Sequence, residues 1–357
     1  MSIERETPLV GLDHEELVVR KGRRTGVYTI VAVHSTALGP SLGGCRLWRY
    51  ADPASATRDA LRLSRAMTFK AAAAGLSLGG GKGVICAEPG DAPKGKRRRE
   101  LLLDFADTVS VLEGRYVTAE DVGTSARDMA LIRKETKWVS GLSRQLGGSG
   151  DPSPFTAQGV EAAMRACVQR RFGSRDLEGR TVAVVGLGHV GSQLAKRLSR
   201  AGARVVAGDI DPEKRHAIDE LDNAKWADPS TALQAEVDVL ALCALGSAID
   251  EVTVRKVRCQ VVCGAANNQL AHDGLAHDLA ARGILFAPDY IANAGGLINI
   301  SIELEGYDPK VARQRVAQIE QTMGQILDEA EAAGITPLAA ANEHARRRLA
   351  AASAASR

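Results

Sequence analysis

From residue 181 onward, short apolar runs alternate with helical stretches, and that alternation constrains the fold more than any other feature of the chain. The runs are TVAVVG (181–186), ARVVAGD (203–209), VDVLALC (237–243), CQVVCG (259–264) and GILFAP (283–288). Each is apolar at consecutive positions, the pattern of a strand buried on both faces. Such strands, separated by helices, argue for a parallel sheet covered on both sides. The right-handed crossover rule then points to a doubly wound α/β fold.

The remainder predicts a second domain, since 357 residues exceed what one compact core usually holds. GVYTIVAVHS (26–35) reads as a strand. The stretch 52–75 reads as a long helix with Asp52 as N-cap, Pro53 at its first position and Gly75 as its stop. GVICAE (83–88) reads as a strand, 97–114 as a helix, and 115–124 as a strand running into a polar loop. LGGSGDPSP (146–154) is the best hinge, so residues 1–150 are expected to form one domain and 151–330 the other. Residues 155–173 predict a helix with Val160, Met164 and Cys167 on one face, and 309–334 predict another. Thr336 and Pro337 open a last helix, whose final ten residues are expected to fray.

A net charge of +3 is too weak to imply nucleic acid, and the basic stretch KGKRRRE (94–100) reads as a solvated face. No apolar run approaches the ~20 residues that span a bilayer, and MSIERETPLV carries no signal-peptide core, so no membrane partner and a cytoplasmic location are expected. The six cysteines show no CxxC spacing and the histidines no HxxxH or HExxH spacing, so no metal is expected.

Gly186, Gly188 and Gly191 have GxGxxG spacing, with an apolar strand before them and an amphipathic helix after. That context fits a dinucleotide. Gly186 allows the tight turn, Gly188 admits the pyrophosphate to the backbone, and Gly191 lets helix and strand pack closely. The helix N-terminus then faces the phosphates. Asp209, ending the next strand about twenty residues on, would accept from both ribose hydroxyls and repel a 2′-phosphate, which favours NAD over NADP. Asp211 competes for that role but fits better as the start of the following helix. His189, inside the loop, reads as a helix-start residue.

MTFKAAAAGLSLGGGKG (67–83) poses a different question, with two lysines in an apolar, glycine-rich setting. Lys70 shares a helix face with Leu63, Met67 and Ala74, so it projects from the apolar side and needs an anion. Lys82 follows three glycines (79–81) that read as a tightly turned segment letting backbone, substrate and cofactor approach. Burial and a second cation nearby would both disfavour its ammonium form, so Lys82 could act as a neutral base. Glu120 and Asp121 follow a strand, where catalytic groups often sit. Asn267 lies at the carboxyl edge of a predicted strand, Asn293 precedes two glycines, and Asn268 reads as a helix cap.

HSTALGPSLGGCR, MTFKAAAAGLSLGGGKG, RYVTAEDVGT, GDPSPFTAQGV, CALG, GAANNQL and FAPDYIANAGG occur in this order along essentially the whole chain. Together they resemble the amino acid dehydrogenases of the leucine/phenylalanine/valine type, relatives of glutamate dehydrogenase. The resemblance implies reversible, NAD-dependent oxidative deamination of an L-amino acid to its 2-oxo acid and ammonia. By the same resemblance Lys70, helped by backbone around Gly44, holds the substrate carboxylate, Lys82 is the base that activates water, and Asp121 assists proton transfer and binds the ammonium. Asn267 and Asn293 lie near nicotinamide and substrate, and Thr156 contacts the carboxamide. Val190, Ile210 and Ala244 join the glycines and His189 in the cofactor site. Met67, Leu42, Ala119, Leu297 and Ile300 belong to the substrate pocket.

The resemblance also implies two α/β domains with a cleft between them: an N-terminal mixed α/β domain for substrate and oligomerisation, and a Rossmann-type NAD domain. The C-terminal helix (331–357) is expected to pack back on the first domain, and the protein to form a homo-oligomer. Gly83 stands where relatives often have alanine, and CALGS replaces CALGG; neither touches a proposed catalytic group. No basic residue is evident for a second substrate carboxylate, which disfavours glutamate. Ala119 resembles enzymes specific for aliphatic side chains and Leu297 some specific for aromatic ones, so leucine, valine or isoleucine is favoured and phenylalanine is the alternative. Outside this class, a non-catalytic NAD sensor would lack Lys82 or Asp121, and a 2-hydroxy-acid dehydrogenase would want a histidine–carboxylate pair and an arginine.

Overall fold

The computed structural model describes residues 12–88, 90–91, 93–244 and 246–355. The chain forms two compact units. Among the described residues, the first comprises those within 12–69, 77–142 and 352–355, and the second those within 70–76 and 143–351.

The first unit is built on a five-stranded mixed sheet. Its strands are β1 (Glu16–Lys21), β2 (Tyr28–Ser35), β3 (Ser41–Arg49), β4 (Gly79–Ala87) and β5 (Tyr116–Glu120), in the order β1-β2-β4-β3-β5. The β1–β2 and β2–β4 pairs are antiparallel, and the β4–β3 and β3–β5 pairs parallel. Helices α1 (Pro53–Ala73), α2 (Gly95–Ser110) and α3 (Ala126–Ile132) pack on it. Asp52 caps α1 by accepting from Ser55 N at 2.6 Å, and Gly75 ends it with φ +75°.

One expectation fails here in an instructive way. Gly79, Gly80 and Gly81 do not form a turn; they are the first residues of β4, which therefore begins four residues before the apolar run that signals it. Packing requires the glycines. A Cβ on Gly80 would lie 2.1 Å from Thr68 N and 2.6 Å from Ser64 O, and one on Gly81 would lie 2.5 Å from the Tyr116 ring. Helix α1 thus meets β4 through a stripe of small residues, Ala56, Ala60, Ser64 and Thr68, all fully buried. For the same reason the face carrying Leu63, Met67, Lys70 and Ala74 is half-buried, not the dry face of the helix.

The second unit contains a six-stranded, all-parallel sheet: β6 (Thr181–Val185), β7 (Arg204–Gly208), β8 (Ala224–Trp226), β9 (Glu236–Leu242), β10 (Arg258–Val262) and β11 (Leu285–Phe286). The order β11-β10-β9-β6-β7-β8 reverses direction between β6 and β9, the switch point of a doubly wound sheet. Helices α4 (Ser153–Phe172), α5 (His189–Arg200), α6 (Pro229–Leu233), α7 (Leu275–Ala281), α8 (Asp289–Ala292), α9 (Gly295–Ser301), α10 (Pro309–Ala317), α11 (Ile319–Ala333) and α12 (Pro337–Ala355) complete it. Val160, Met164 and Cys167 of α4 are fully buried, and so many of its other residues are buried that it reads as a core helix.

The single helix expected over 309–334 is two, α10 and α11, meeting at Gln318. Of the last ten residues, expected to fray, those up to Ala355 continue α12, and 356–357 lie outside the described residues. Arg348 of α12 donates to Ala72 O at 2.7 Å and Gly75 O at 2.8 Å, at the C-terminal end of α1 and just beyond it. Among the described residues no helix is long and apolar enough to cross a membrane, and no group of three or more His, Cys, Asp or Glu side chains is placed to hold a metal ion.

Candidate active site

Side chains alternate along a strand, so register decides what gathers on each face. Leu42 lies beside Gly80 and Val117, and Gly44 beside Ala119. The parallel register continues to Arg46 beside Val84. Leu42, Gly44, Arg46, Lys82, Ala119 and Asp121 therefore share one face of the first unit's sheet, the face against which α1 packs Ala56 and Ala60 over Val84 and Ala32.

On that face Lys82 Nζ donates to Asp121 Oδ2 at 2.7 Å. Lys82 is 5% exposed. Burial pushes its ammonium below the usual lysine range, against the Asp121 carboxylate, which favours the charged form. Burial of Asp121 acts to raise its pKa, but the charges and hydrogen bonds of Lys82 and Arg46 outweigh it and hold the carboxyl below its usual value. Gly44 leaves room for this pair, since a Cβ there would lie 2.6 Å from Asp121 Cβ and 2.7 Å from Glu120 O.

The cation beside Lys82 and Asp121 is Arg46, whose Nε donates to Asp121 Oδ2 at 3.0 Å. Lys70 falls in the second unit. Arg46 lies in the motif SLGGCR, two residues after Gly44, and strand alternation from Gly44 is the signal that could have singled it out.

In the second unit, Lys70 Nζ donates to Asn293 Oδ1 at 2.6 Å. Asn293 Nδ2 donates to Asn267 Oδ1 at 2.8 Å and to Ala265 O at 3.0 Å. Three predicted residues from distant parts of the chain thus form one chain of contacts. Asp289, not singled out by sequence, stands near them. Burial raises its pKa against the Lys70 charge and a hydrogen bond from Gln269 N. Thr156 is in the first turn of α4, its hydroxyl donating to Pro152 O at 3.2 Å, and a Cβ on Gly296 would come within 2.7 Å of that hydroxyl. Leu297 is buried in α9 and Ile300 is half-buried there, while Met67 is half-buried on α1. Asn268 is not a helix cap; it sits in a turn with φ +52°, a left-handed conformation that asparagine tolerates.

The loop after β6 lies at the switch point. Gly186 has φ +100°, and a Cβ there would lie 2.6 Å from Ala244 N. A Cβ on Gly191 would lie 1.9 Å from Gly186 O, whereas one on Gly188 would meet nothing within 4 Å. Gly188 is the N-cap of α5 and supplies no side-chain hydrogen bond, so the amides of His189 and Val190 open the helix without a side chain over them. Asp209 Oδ2 accepts from Leu187 N at 2.6 Å and Oδ1 from Asp211 N at 3.0 Å, and the neighbouring Ile210 is 89% exposed. Asp211 accepts from Glu213 N at 3.0 Å and opens a short helical turn, as its sequence position suggests. An open glycine, an uncapped helix end and a carboxylate fixed at the next strand's end fit a dinucleotide's pyrophosphate and ribose.

A Rossmann sheet with this loop, together with a buried lysine–carboxylate pair, defines a dehydrogenase that uses a nicotinamide cofactor. Residues 14–138 match the family described as Glu/Leu/Phe/Val dehydrogenase, dimerisation domain, and residues 208–357 match Glutamate/Leucine/Phenylalanine/Valine dehydrogenase. Residues 156–251 match the NAD binding domain of D-isomer specific 2-hydroxyacid dehydrogenases, a likeness confined to the nucleotide fold. A leucine dehydrogenase of Thermoactinomyces intermedius is 41% identical over 94% of this chain and 91% of its own length. A valine dehydrogenase of Streptomyces coelicolor is 44% identical over 94% and 92%. The crystal structure of L-tryptophan dehydrogenase from Nostoc punctiforme superposes with a TM-score of 0.85 at 36% identity, covering 96% of this chain and 97% of that one. The chain belongs to the Glu/Leu/Phe/Val dehydrogenase family, the amino acid dehydrogenases that act on CH–NH2 donors.

Proposed function

We propose that this protein catalyses the reversible, NAD-dependent oxidative deamination of a hydrophobic L-amino acid to its 2-oxo acid and ammonia, with leucine, valine and isoleucine favoured. The observation that carries this reading is the buried Lys82–Asp121 pair, at 2.7 Å. The chemistry supplied by bound NAD is acceptance of a hydride from the substrate Cα, which leaves an imine. Hydrolysis of that imine needs a base that is neutral in the working pH range. Burial drives Lys82 toward the neutral amine, so it takes the proton of the attacking water. Asp121, kept ionised by Arg46 and by the hydrogen bond from Lys82, accepts hydrogen bonds from the substrate's amino group. Lys70, with the backbone at Gly44, holds the substrate carboxylate, and Asn293 orients Lys70 and bridges it to Asn267.

Gly186, Gly188, His189, Val190 and Gly191 hold the pyrophosphate, with Ala244 across the switch point. Asp209 binds the ribose and selects NAD by repelling a 2′-phosphate, Ile210 lies against the adenosine, Thr156 contacts the carboxamide, and Asn267 and Asn293 lie near nicotinamide and substrate. Leu42, Met67, Ala119, Leu297 and Ile300 line the side-chain pocket. We assign residues 1–150 to substrate binding and oligomerisation, 151–330 to NAD binding, and 331–357 to a helix returning to the first domain. A cytoplasmic location and a homo-oligomer are expected, and light scattering on the purified chain checks the oligomer.

The test is formation of NADH from NAD and L-leucine, L-valine or L-isoleucine, with ammonium required in the reverse direction. Failure of every L-amino acid to yield NADH with pure, folded protein overturns the reading. Leu297 favours a second substrate class, phenylalanine. The ratio of kcat/KM for leucine to that for phenylalanine decides between them, since one methylene shifts such a ratio by about 1–3 kcal/mol.

A further inference from the structure

Asp121 does not meet Lys82 alone. Its Oδ2 accepts from both Lys82 Nζ and Arg46 Nε, so both cations sit on the same oxygen. Arg46 is itself held from behind. Its Nη1 donates to Asp59 Oδ2 at 3.0 Å, and the Tyr50 hydroxyl donates to that same oxygen at 2.7 Å. Asp59 lies on α1, Arg46 on β3, Lys82 on β4, and Asp121 just past β5. The five side chains thus tie three strands and a helix of the first unit into one alternating row: Lys82, Asp121, Arg46, Asp59, Tyr50.

A guanidinium is planar, always charged and able to donate in two fixed directions at once. With Nε on one carboxylate and Nη1 on another, the plane of Arg46 is set by both. Asp121 is then held by two donors converging on Oδ2, and Oδ1 lies outside that pair.

We propose that Arg46 is the positioning residue of this site, clamped by Asp59 and Tyr50 so that Asp121 spends Oδ2 on the two cations and keeps Oδ1 for the substrate's amino group. The inference rests on Lys82 and Asp121 acting as assigned above. It adds that the charge of Arg46, as well as its geometry, conditions Lys82. A permanent cation sharing the same carboxylate disfavours a second positive charge on the lysine.

The experiment compares the purified full-length wild type with Arg46→Gln, Arg46→Lys and Asp59→Asn, reading kcat, both KM values and the pH profile of kcat/KM for leucine deamination. Arg46→Gln is expected to lower kcat about 100-fold, the scale of a misplaced catalytic group. The KM for NAD should change less than about threefold, because the cofactor loop is elsewhere in the chain. With the cation gone Lys82 holds its proton more tightly, so the rising limb of the profile should move up by about one pH unit. Arg46→Lys keeps the charge but loses one anchor, so kcat falls while the limb stays near its wild-type position. Wild-type kcat in Arg46→Gln, or a lowered kcat with the limb unmoved, overturns the proposal. Should Arg46→Gln fail to fold by circular dichroism, Asp59→Asn carries the test. It leaves the Arg46 charge and weakens the anchor by putting a neutral amide in place of the carboxylate, so kcat should fall about tenfold, and an unchanged kcat overturns the proposal. Absence of wild-type turnover on every L-amino acid overturns both this inference and the proposed function, whereas an active wild type matched by Arg46→Gln overturns this inference alone.

Discussion

In β4, Gly79, Gly80, Gly81 and Gly83 sit in ordinary strand conformation, and none has a left-handed φ. In the loop after β6, Gly186 has φ +100°, Gly188 has φ −67°, and a Cβ on Gly188 would enter open space. The two clusters look alike in the sequence, yet glycine answers different needs in them. Along β4 any residue could adopt the backbone, but a side chain would strike Ser35 O, Thr68 N, Tyr116 or Phe105. In the loop, Gly186 is needed for its conformation and Gly191 for close helix–strand packing, while Gly188 keeps a space clear at the start of α5. Glycine in the first cluster lets a helix close on a strand so that one lysine between them is buried. In the second it leaves a helix end open to an anion.

The largest effect should come from the residue that the first cluster buries. Lys82→Ala is expected to lower kcat about 10³-fold while leaving the Kd for NAD nearly intact, and unimpaired turnover would sink the assigned base. Gly80→Ala should destabilise the protein by about 3 kcal/mol in denaturant unfolding, since its Cβ meets backbone that cannot rotate away. A loss below about 0.5 kcal/mol would break the contrast between the clusters. At the other cluster Asp209→Asn should weaken NAD about tenfold relative to NADP, measured as the ratio of the two Kd values. The smallest stability effect belongs to Gly188→Ala, within about 0.5 kcal/mol of wild type, yet with a weakened Kd for NAD. If binding were unchanged, the open space there would have no role in the cofactor site.

The pH profile sharpens the same comparison. Under the proposed mechanism Lys82 is a base only when deprotonated, so kcat/KM for deamination should rise as pH passes through its folded-state pKa. Burial lowers that value from the ordinary 10.5, so the rising limb should lie below it. The Asp121 carboxylate opposes the shift, so Asp121→Asn should move the limb to still lower pH in whatever activity survives. Movement upward would contradict the ion pair.

Much of the second unit was legible because a parallel sheet buried on both faces writes each strand as a continuous apolar run. Even there, β8 (Ala224–Trp226), three residues at the sheet edge, left no such mark. The first unit was harder. Strand β3 carries Leu42, Gly44 and Arg46, but its two glycines and mixed polarity hide a strand that is buried by packing. The break at Gln318 was hidden as well, since Ala312, Val316, Ile319 and Met323 keep their helical spacing across it.

By itself the sequence determined the doubly wound nucleotide fold and the glycine loop with Asp209, because local periodicity and residue chemistry specify these over short spans; it marked Lys82 as an unusual lysine, and the pairing with Asp121 came from the family resemblance. Only the tertiary structure decided which cation stands beside Lys82 and Asp121. Arg46, Asp59, Lys82 and Asp121 come together through strand register and through the closeness of α1 to β4, which depends on what a Cβ at Gly80 would strike. Register and excluded volume are relations between segments far apart in the chain, and no run of residues carries them alone.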